Sequence, residues 1–128
     1  GAGFPGLILA LYNKNEDFHV KLFEKSPVKR AFLEDISNKL SIKVKINGNV
    51  YDDFIDTDYI VCRAFKKLEA IIQVSREIAQ KPHKLIILKG QNAQKDLEKA
   101  LKKVKYDYKL ENSITNKDSK IILVDFKK

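Results

Sequence analysis

The sequence predicts an α/β fold built on a mostly parallel sheet, with an antiparallel strand pair closing it at the C-terminal end. Three observations carry that expectation. Apolar runs of strand length alternate with segments whose apolar residues recur at helical spacing. One run, Leu85-Ile86-Ile87-Leu88, is apolar throughout, as in strands of a parallel sheet covered on both faces. The last two runs, Tyr106 to Asn112 and Lys120 to Phe126, are joined by a polar turn, Thr115-Asn116-Lys117-Asp118.

The elements follow in order. Gly1-Ala2-Gly3-Phe4-Pro5-Gly6 has glycines at the spacing of a nucleotide-binding loop, where a missing Cβ lets backbone turn tightly and approach a ligand. Gly6 to Asn13 reads as a short helix opened by that loop. Phe18 to Phe23 reads as a strand ending at Glu24. Ser26-Pro27 starts a helix, with Ser as N-cap and Pro at the first helical position. Val28, Phe32, Leu33, Ile36 and Leu40 form its expected apolar face. Ile42 to Ile46 alternates apolar and basic residues as a strand does, and Asn47-Gly48-Asn49 breaks it. Tyr59 to Cys62 reads as a buried strand ending at Arg63. Leu68, Ile71, Ile72, Ser75, Ile78 and Ala79 make the next helix face, stopped by Lys81-Pro82. Leu85 to Leu88 is the apolar strand, ending at Lys89-Gly90. Asn92 is expected to cap a helix running to about Lys105, with Leu97, Ala100, Leu101 and Val104 inward. No repeat or linker marks a boundary, so residues 1–128 are expected to form one domain.

Composition narrows the classes. At 44% hydrophobic residues the chain is not disordered, and no apolar run approaches the ~20 residues of a membrane span. Cys62 is alone, which excludes an intrachain disulfide and a cysteine zinc cluster and fits a reducing cytoplasm. His19 and His83 lack metal-ligand spacing. The net charge of +8 suits a polyanionic partner such as nucleic acid. Yet 22 of the 25 basic residues are Lys, which coding bias alone can produce, so Arg30, Arg63 and Arg76 are more informative. The lysines at 95, 99, 102 and 103 read as a solvated helix face.

In an open parallel sheet, ligands bind beyond the carboxyl ends of the strands. Glu24, the stretch Asn49-Val50-Tyr51-Asp52, Arg63 and Lys89 all fall at such ends, and with the glycine loop they are expected to line one rim. No Gly-Lys-Ser/Thr follows the loop, so it is not a triphosphate P-loop.

These residues resemble the glucose-inhibited division protein B family. Gly1 to Gly6 is similar to the second half of its GSGAGFPG motif. Leu22-Phe23-Glu24-Lys25-Ser26 with Lys29-Arg30-Ala31-Phe32-Leu33 resembles its LLES…KKxxFL block. Asp58 to Phe65 resembles its DxVxxRA block, and Leu88-Lys89-Gly90 its LKG block. The resemblance spans nearly the whole chain. It implies a Rossmann-like fold of the S-adenosylmethionine-dependent methyltransferase kind and methylation of guanine N7 in small-subunit (16S) ribosomal RNA. The implied cofactor is S-adenosyl-L-methionine. The implied partner is that RNA or a pre-assembled small subunit, met in the cytoplasm by a monomer with no membrane attachment.

The resemblance also assigns residues. Gly1, Ala2, Gly3 and Phe4 would surround the methionine and ribose of the cofactor. Glu24 would hold the ribose hydroxyls, and Val50 and Tyr51 would lie against the adenine. Arg63 would face the cofactor and orient its methionine end or the incoming nucleotide. Lys29, Arg30 and Lys89 would contact RNA phosphates. Two features depart from the pattern. The family's Arg-Ala-Glu segment is Asn49-Val50-Tyr51 here, which puts adenine recognition by an acidic side chain in question. The family's N-terminal helices and its first strand, ending in Asp-x-Gly-Ser-Gly, have no counterpart before Gly1. In that fold the strand is central, and each buried backbone group left unpaired costs roughly 1–3 kcal/mol. The chain is therefore expected to be incomplete at its N-terminus and not to transfer methyl groups alone.

Two other readings compete. The opening matches G-x-G-x-x-G, so Glu24 could hold an NAD ribose in an oxidoreductase. Pro5, the Arg63 and Lys89 blocks and the terminal strand pair speak against it. A non-catalytic basic RNA-binding relative is the other.

Overall fold

The computed structural model describes residues 3–64, 66–100 and 106–127. They form two compact units, Gly1–Asp53 and Phe54–Lys128.

In the first unit the order is α1 (Gly6–Tyr12), β1 (Lys21–Phe23), α2 (Pro27–Lys39), β2 (Lys45–Asn47) and a single 3-10 turn, Val50–Asp52. Strands β1 and β2 pair in parallel, with Lys21, Leu22 and Phe23 opposite Lys45, Ile46 and Asn47. Leu7, Leu22 and Leu33 form the core, supported by Val20, Ile36, Ile42, Val44 and Ile46. Ser26 caps α2 as expected: its hydroxyl accepts the Lys29 amide at 3.4 Å, and Pro27 occupies the first turn.

Both strands are shorter than their apolar patterns. The Asn13 side-chain amide donates to the Phe18 carbonyl, so that carbonyl is turned away from a ladder and regular pairing starts at Val20, whose carbonyl accepts the Lys45 amide. Ile42 still donates back to Ser37 in α2, after Ser41 has turned the chain at φ 53°. The strand begins only beyond that turn and runs through Asn47, the residue expected to break it. The expected face of α2 also needs correction. Val28, Phe32 and Leu40 are exposed, while Leu33 and Ser37 are buried and Ile36 half-buried. At about 100° per residue, Val28 and Phe32 lie roughly 140° and 100° around the helix from Leu33, on the uncovered side, and Ile36 only about 60° from it, while Leu40 stands beyond the last residue of α2.

In the second unit the order is β3 (Tyr59–Arg63), α3 (Leu68–Ile78), β4 (His83–Lys89), α4 (Ala93–Ala100), β5 (Asp107–Asn112) and β6 (Lys120–Phe126). The sheet order is β3-β4-β6-β5. β4 runs parallel to β3, and β6 runs antiparallel to both β4 and β5. Three strands therefore point one way and β6 alone is reversed, which is how the expected terminal pair joins the sheet. Leu85 lies opposite Val124 and Ile87 opposite Ile122, so alternate residues of neighbouring strands share one face. That face packs with Leu68, Ile71 and Ile72 of α3 and with Ala93 and Leu97 of α4. The face read for α3 is buried from Leu68 to Ile78. Strand β3, expected to be buried, is half-buried at Ile60, Val61 and Cys62, as befits the edge of this sheet. Asn92 stands before α4 at φ 65°, and its backbone carbonyl accepts the Asp96 amide. Leu101 and Val104, expected to continue that helix face, lie outside the described residues.

Candidate cofactor site at the strand ends

In the first unit, Gly3 turns the chain at φ +96°, a conformation that glycine adopts without strain. Its carbonyl accepts the Leu7 amide. A Cβ on Gly3 would collide with Leu33 Cδ2 and crowd Leu7, and one on Gly6 would collide with Leu22 Cδ2. Both glycines therefore seat α1 closely on α2 and β1, the packing role that the later glycines of such loops serve. Phe4 between them is exposed. Gly1 and Ala2 lie outside the described residues.

Glu24 follows β1 and is only 5% exposed. Its amide donates to the Asn47 carbonyl at 3.1 Å, tying it to the end of β2. Its Oε1 accepts the Ser26 amide at 3.1 Å. A carboxylate bound by backbone N–H at the mouth of a parallel strand pair has the acceptor chemistry that two vicinal hydroxyls require. After Asn47 the chain passes Gly48 to Asn49, whose Oδ1 accepts the Tyr51 amide at 3.1 Å and caps the turn Val50–Asp52. Val50 is half-buried and Tyr51 exposed. The fold thus brings Glu24 beside the Asn49–Tyr51 turn.

Arg30, expected to contact RNA phosphate, has protein partners for one of its nitrogens. Its Nη1 donates to the carbonyls of Glu24 and Lys25, each at 2.8 Å. Lys29, one residue earlier, is exposed. The sequence shows Ser26 as the cap of α2 but not its amide's bond to Glu24, nor the parts that Arg30 and Asn49 play in holding these loops. Asn49 carries a usable signal, since an Asn side chain that accepts the amide two residues on is a common turn.

In the second unit, Arg63 ends β3 opposite Leu88, and the Ala64 amide donates to the Leu88 carbonyl at 3.0 Å. Arg63 and Lys89 therefore stand at the carboxyl ends of adjacent parallel strands, as expected. Arg63 is exposed. The Lys89 ammonium is paired with Asp96 at 3.0 Å, so it would have to exchange that partner to meet a phosphate. Cys62, on the preceding position, is half-buried, and burial pushes its thiol up to about 12. It is therefore a poor nucleophile at neutral pH. His83 is buried within β4. Its Nδ1 faces the Lys81 carbonyl at 3.1 Å, which can only accept, so Nδ1 carries the proton. Nε2 of the neutral ring then accepts from the Ser75 hydroxyl. This pair is part of the packing and is aimed at no strand-end residue named above.

The family model described as rRNA small subunit methyltransferase G (GidB) matches residues 1–123. The chain belongs to this family. It is 33% identical to the "Ribosomal RNA small subunit methyltransferase G" of Pelagibacter ubique, covering 100% of this chain and 61% of that protein. The protein of the same description from Rickettsia typhi is also 33% identical, over 98% of this chain and 64% of its own length. The chain thus spans somewhat under two thirds of these GidB relatives. Among solved structures, an rRNA methylase from Streptococcus thermophilus superposes with a TM-score of 0.66 at 13% identity, covering 100% of this chain and 82% of that one. TYW2 of M. jannaschii in complex with AdoMet gives 0.65 at 16% identity, covering 98% and 64%. At such identities the likeness establishes the fold, which is the Rossmann-like methyltransferase fold expected. The GidB match removes the reason to pursue the oxidoreductase reading. No helix among the described residues is long and apolar enough to cross a membrane.

Proposed function

We propose that this chain supplies the S-adenosylmethionine site, and part of the RNA-facing surface, of an enzyme that methylates N7 of a guanine in small-subunit ribosomal RNA. The observation that carries the reading is Glu24, buried at the end of β1 and hydrogen-bonded through its amide to Asn47. Two further features of the same unit suit an adenosine: the tight glycine turn at Gly3 and the capped turn at Val50 and Tyr51. In this reading the Glu24 carboxylate accepts from the ribose hydroxyls. The adenine lies against Val50 and Tyr51, where backbone groups replace the family's acidic side chain. Gly1 to Phe4 border the methionine part.

Bound S-adenosylmethionine supplies a sulfonium methyl group that a lone pair can attack in line. Guanine N7 carries such a lone pair and no proton, so the protein needs no general base. Neither His83, committed to Lys81 and Ser75, nor the high-pKa thiol of Cys62 is required. The chain's work is positioning: holding the nucleoside, admitting an unstacked guanine and neutralising phosphate charge. Arg63 orients the methionine end or the incoming nucleotide, and Lys29 and Lys89 meet RNA phosphates.

The test is calorimetric titration of S-adenosylhomocysteine into the protein, followed by methyl transfer to small-subunit RNA. Saturable binding by this chain is expected, and label at guanine N7 from the intact enzyme to whose site it contributes. A folded protein that binds RNA but not S-adenosylhomocysteine would overturn the reading in favour of a non-catalytic relative.

A further inference from the structure

We propose that Arg30 is a positioning residue that holds the two cofactor loops in register, and not an RNA contact. The proposal rests on the cofactor reading above. Where β1 turns into α2, the carbonyls of Glu24 and Lys25 both accept hydrogen bonds from one side chain, that of Arg30. Arg30 sits in the first turns of α2, its own amide bonded to Ser26, and reaches back to both carbonyls through one nitrogen, Nη1, at 2.8 Å. Glu24 is thereby gripped on both sides: its amide by the Asn47 carbonyl and its carbonyl by Arg30. The same guanidinium lies beside Gly48 in the second loop, where a Cβ would stand 3.8 Å from Nη1. Gly48 is the residue between the Asn47 carbonyl and the Asn49 cap. One half-buried cation thus adjoins the β1–α2 loop, which carries the proposed ribose acceptor, and the loop leading to the proposed adenine turn.

Charge-assisted hydrogen bonds to two carbonyls from one planar group fix a loop more firmly than a lysine can. A lysine ammonium has donors enough for both carbonyls but sits on a shorter, more flexible stem, so it would hold the pair less firmly. Because binding costs less when the site is already ordered, loosening these loops should weaken the cofactor without touching the RNA.

The experiment compares wild type, Arg30→Ala and Arg30→Lys of the intact protein in three measurements. These are S-adenosylhomocysteine titration, hydrogen exchange of the Glu24, Ser26 and Tyr51 amides without ligand, and RNA affinity. The expected result is an affinity for S-adenosylhomocysteine about tenfold weaker in Arg30→Ala, with partial recovery in Arg30→Lys. Exchange should be faster at those three amides, and RNA affinity should stay within about twofold. Thermal unfolding is followed in parallel, and Arg30→Lys carries the comparison if Arg30→Ala loses its fold. Unchanged cofactor affinity with weakened RNA binding would overturn the proposal and restore Arg30 as a phosphate contact. Unchanged exchange would overturn it as well. A wild type that takes up no S-adenosylhomocysteine would overturn the site reading itself, before any variant is compared.

Discussion

The amide of Glu24 donates to the carbonyl of Asn47 at 3.1 Å, one residue beyond the point where Phe23 and Asn47 stand opposite each other. Parallel pairing is thereby carried past the end of β1, and the carboxylate stays beside the loop that leaves β2. Its other backbone group and its Oε1 are engaged too, by Arg30 and by the Ser26 amide. A side chain held this way presents a fixed acceptor, and two hydroxyls on a ribose are the ligand chemistry that rewards it.

Replacing Glu24 with Gln keeps the volume but removes the charge. Hydrogen bonds to charged groups contribute about 1.5–3 kcal/mol each, so S-adenosylhomocysteine affinity should fall roughly 10- to 100-fold. Calorimetry on the intact protein reads this directly, and an unchanged Kd would remove Glu24 from the ribose site.

Arg63 is exposed at the end of β3 and is proposed to face cofactor or nucleotide. Arg63→Ala should lower methyl transfer by at least an order of magnitude while leaving the unfolding midpoint nearly unchanged, because exposed side chains usually contribute within about 0.5 kcal/mol to stability. Steady-state kinetics with small-subunit RNA supply the check, and wild-type rates in the variant would rule out the assignment.

Gly6 is a packing glycine. Its Cβ would run into Leu22 Cδ2 in the first unit's core, whereas a Cβ on Gly90 meets nothing within 4 Å. Gly6→Ala should destabilise by about 1–3 kcal/mol and Gly90→Ala by much less. Denaturant unfolding of the two variants tests this, and equal midpoints would contradict the close seating of α1.

Burial pushes the Cys62 thiol up to about 12. At pH 8 the thiolate fraction is then on the order of one in ten thousand, against roughly a quarter for a free cysteine with a pKa of ~8.5. A disulfide reagent should label the native protein slowly and the unfolded protein at once. Rapid labelling of the native state would show that the half-buried Cys62 is in fact open to attack.

Burial also lowers the His83 pKa from its ordinary 6.5, more than the Lys81 carbonyl raises it. The folded state therefore resists protonation that the unfolded chain accepts. Stability contributed by neutral His83 is complete above about pH 6.5 and falls as the pH drops from there toward the folded pKa. Denaturant unfolding at pH 7.5, 6 and 5 should show this loss, and His83→Gln should flatten it. A wild-type stability that does not fall over this range would count against the buried neutral ring.

Much of this was legible in the sequence because it depends on neighbours in the chain. Ser26-Pro27 announced a helix start, the run from Leu85 to Leu88 announced a strand, buried on one face and half-buried on the other, and the glycine spacing with Glu24, Arg63-Ala64 and Lys89-Gly90 announced the family. Periodicity is a local property, and it located every described element except the 3-10 turn. Tertiary structure decided what local pattern leaves open. Val28 and Phe32 look as apolar as Leu33, but only packing against Leu7 and Leu22 selects which side of α2 is covered. The strands stop short of their apolar runs because Asn13 and Ser37 take up groups that a ladder would have used. In the sequence Arg30 reads, with Lys29, as a contact for RNA phosphate. Its service to the Glu24 and Lys25 carbonyls exists only once β1 has turned into α2, because a hydrogen bond requires a meeting of two groups in space that residue type alone does not specify.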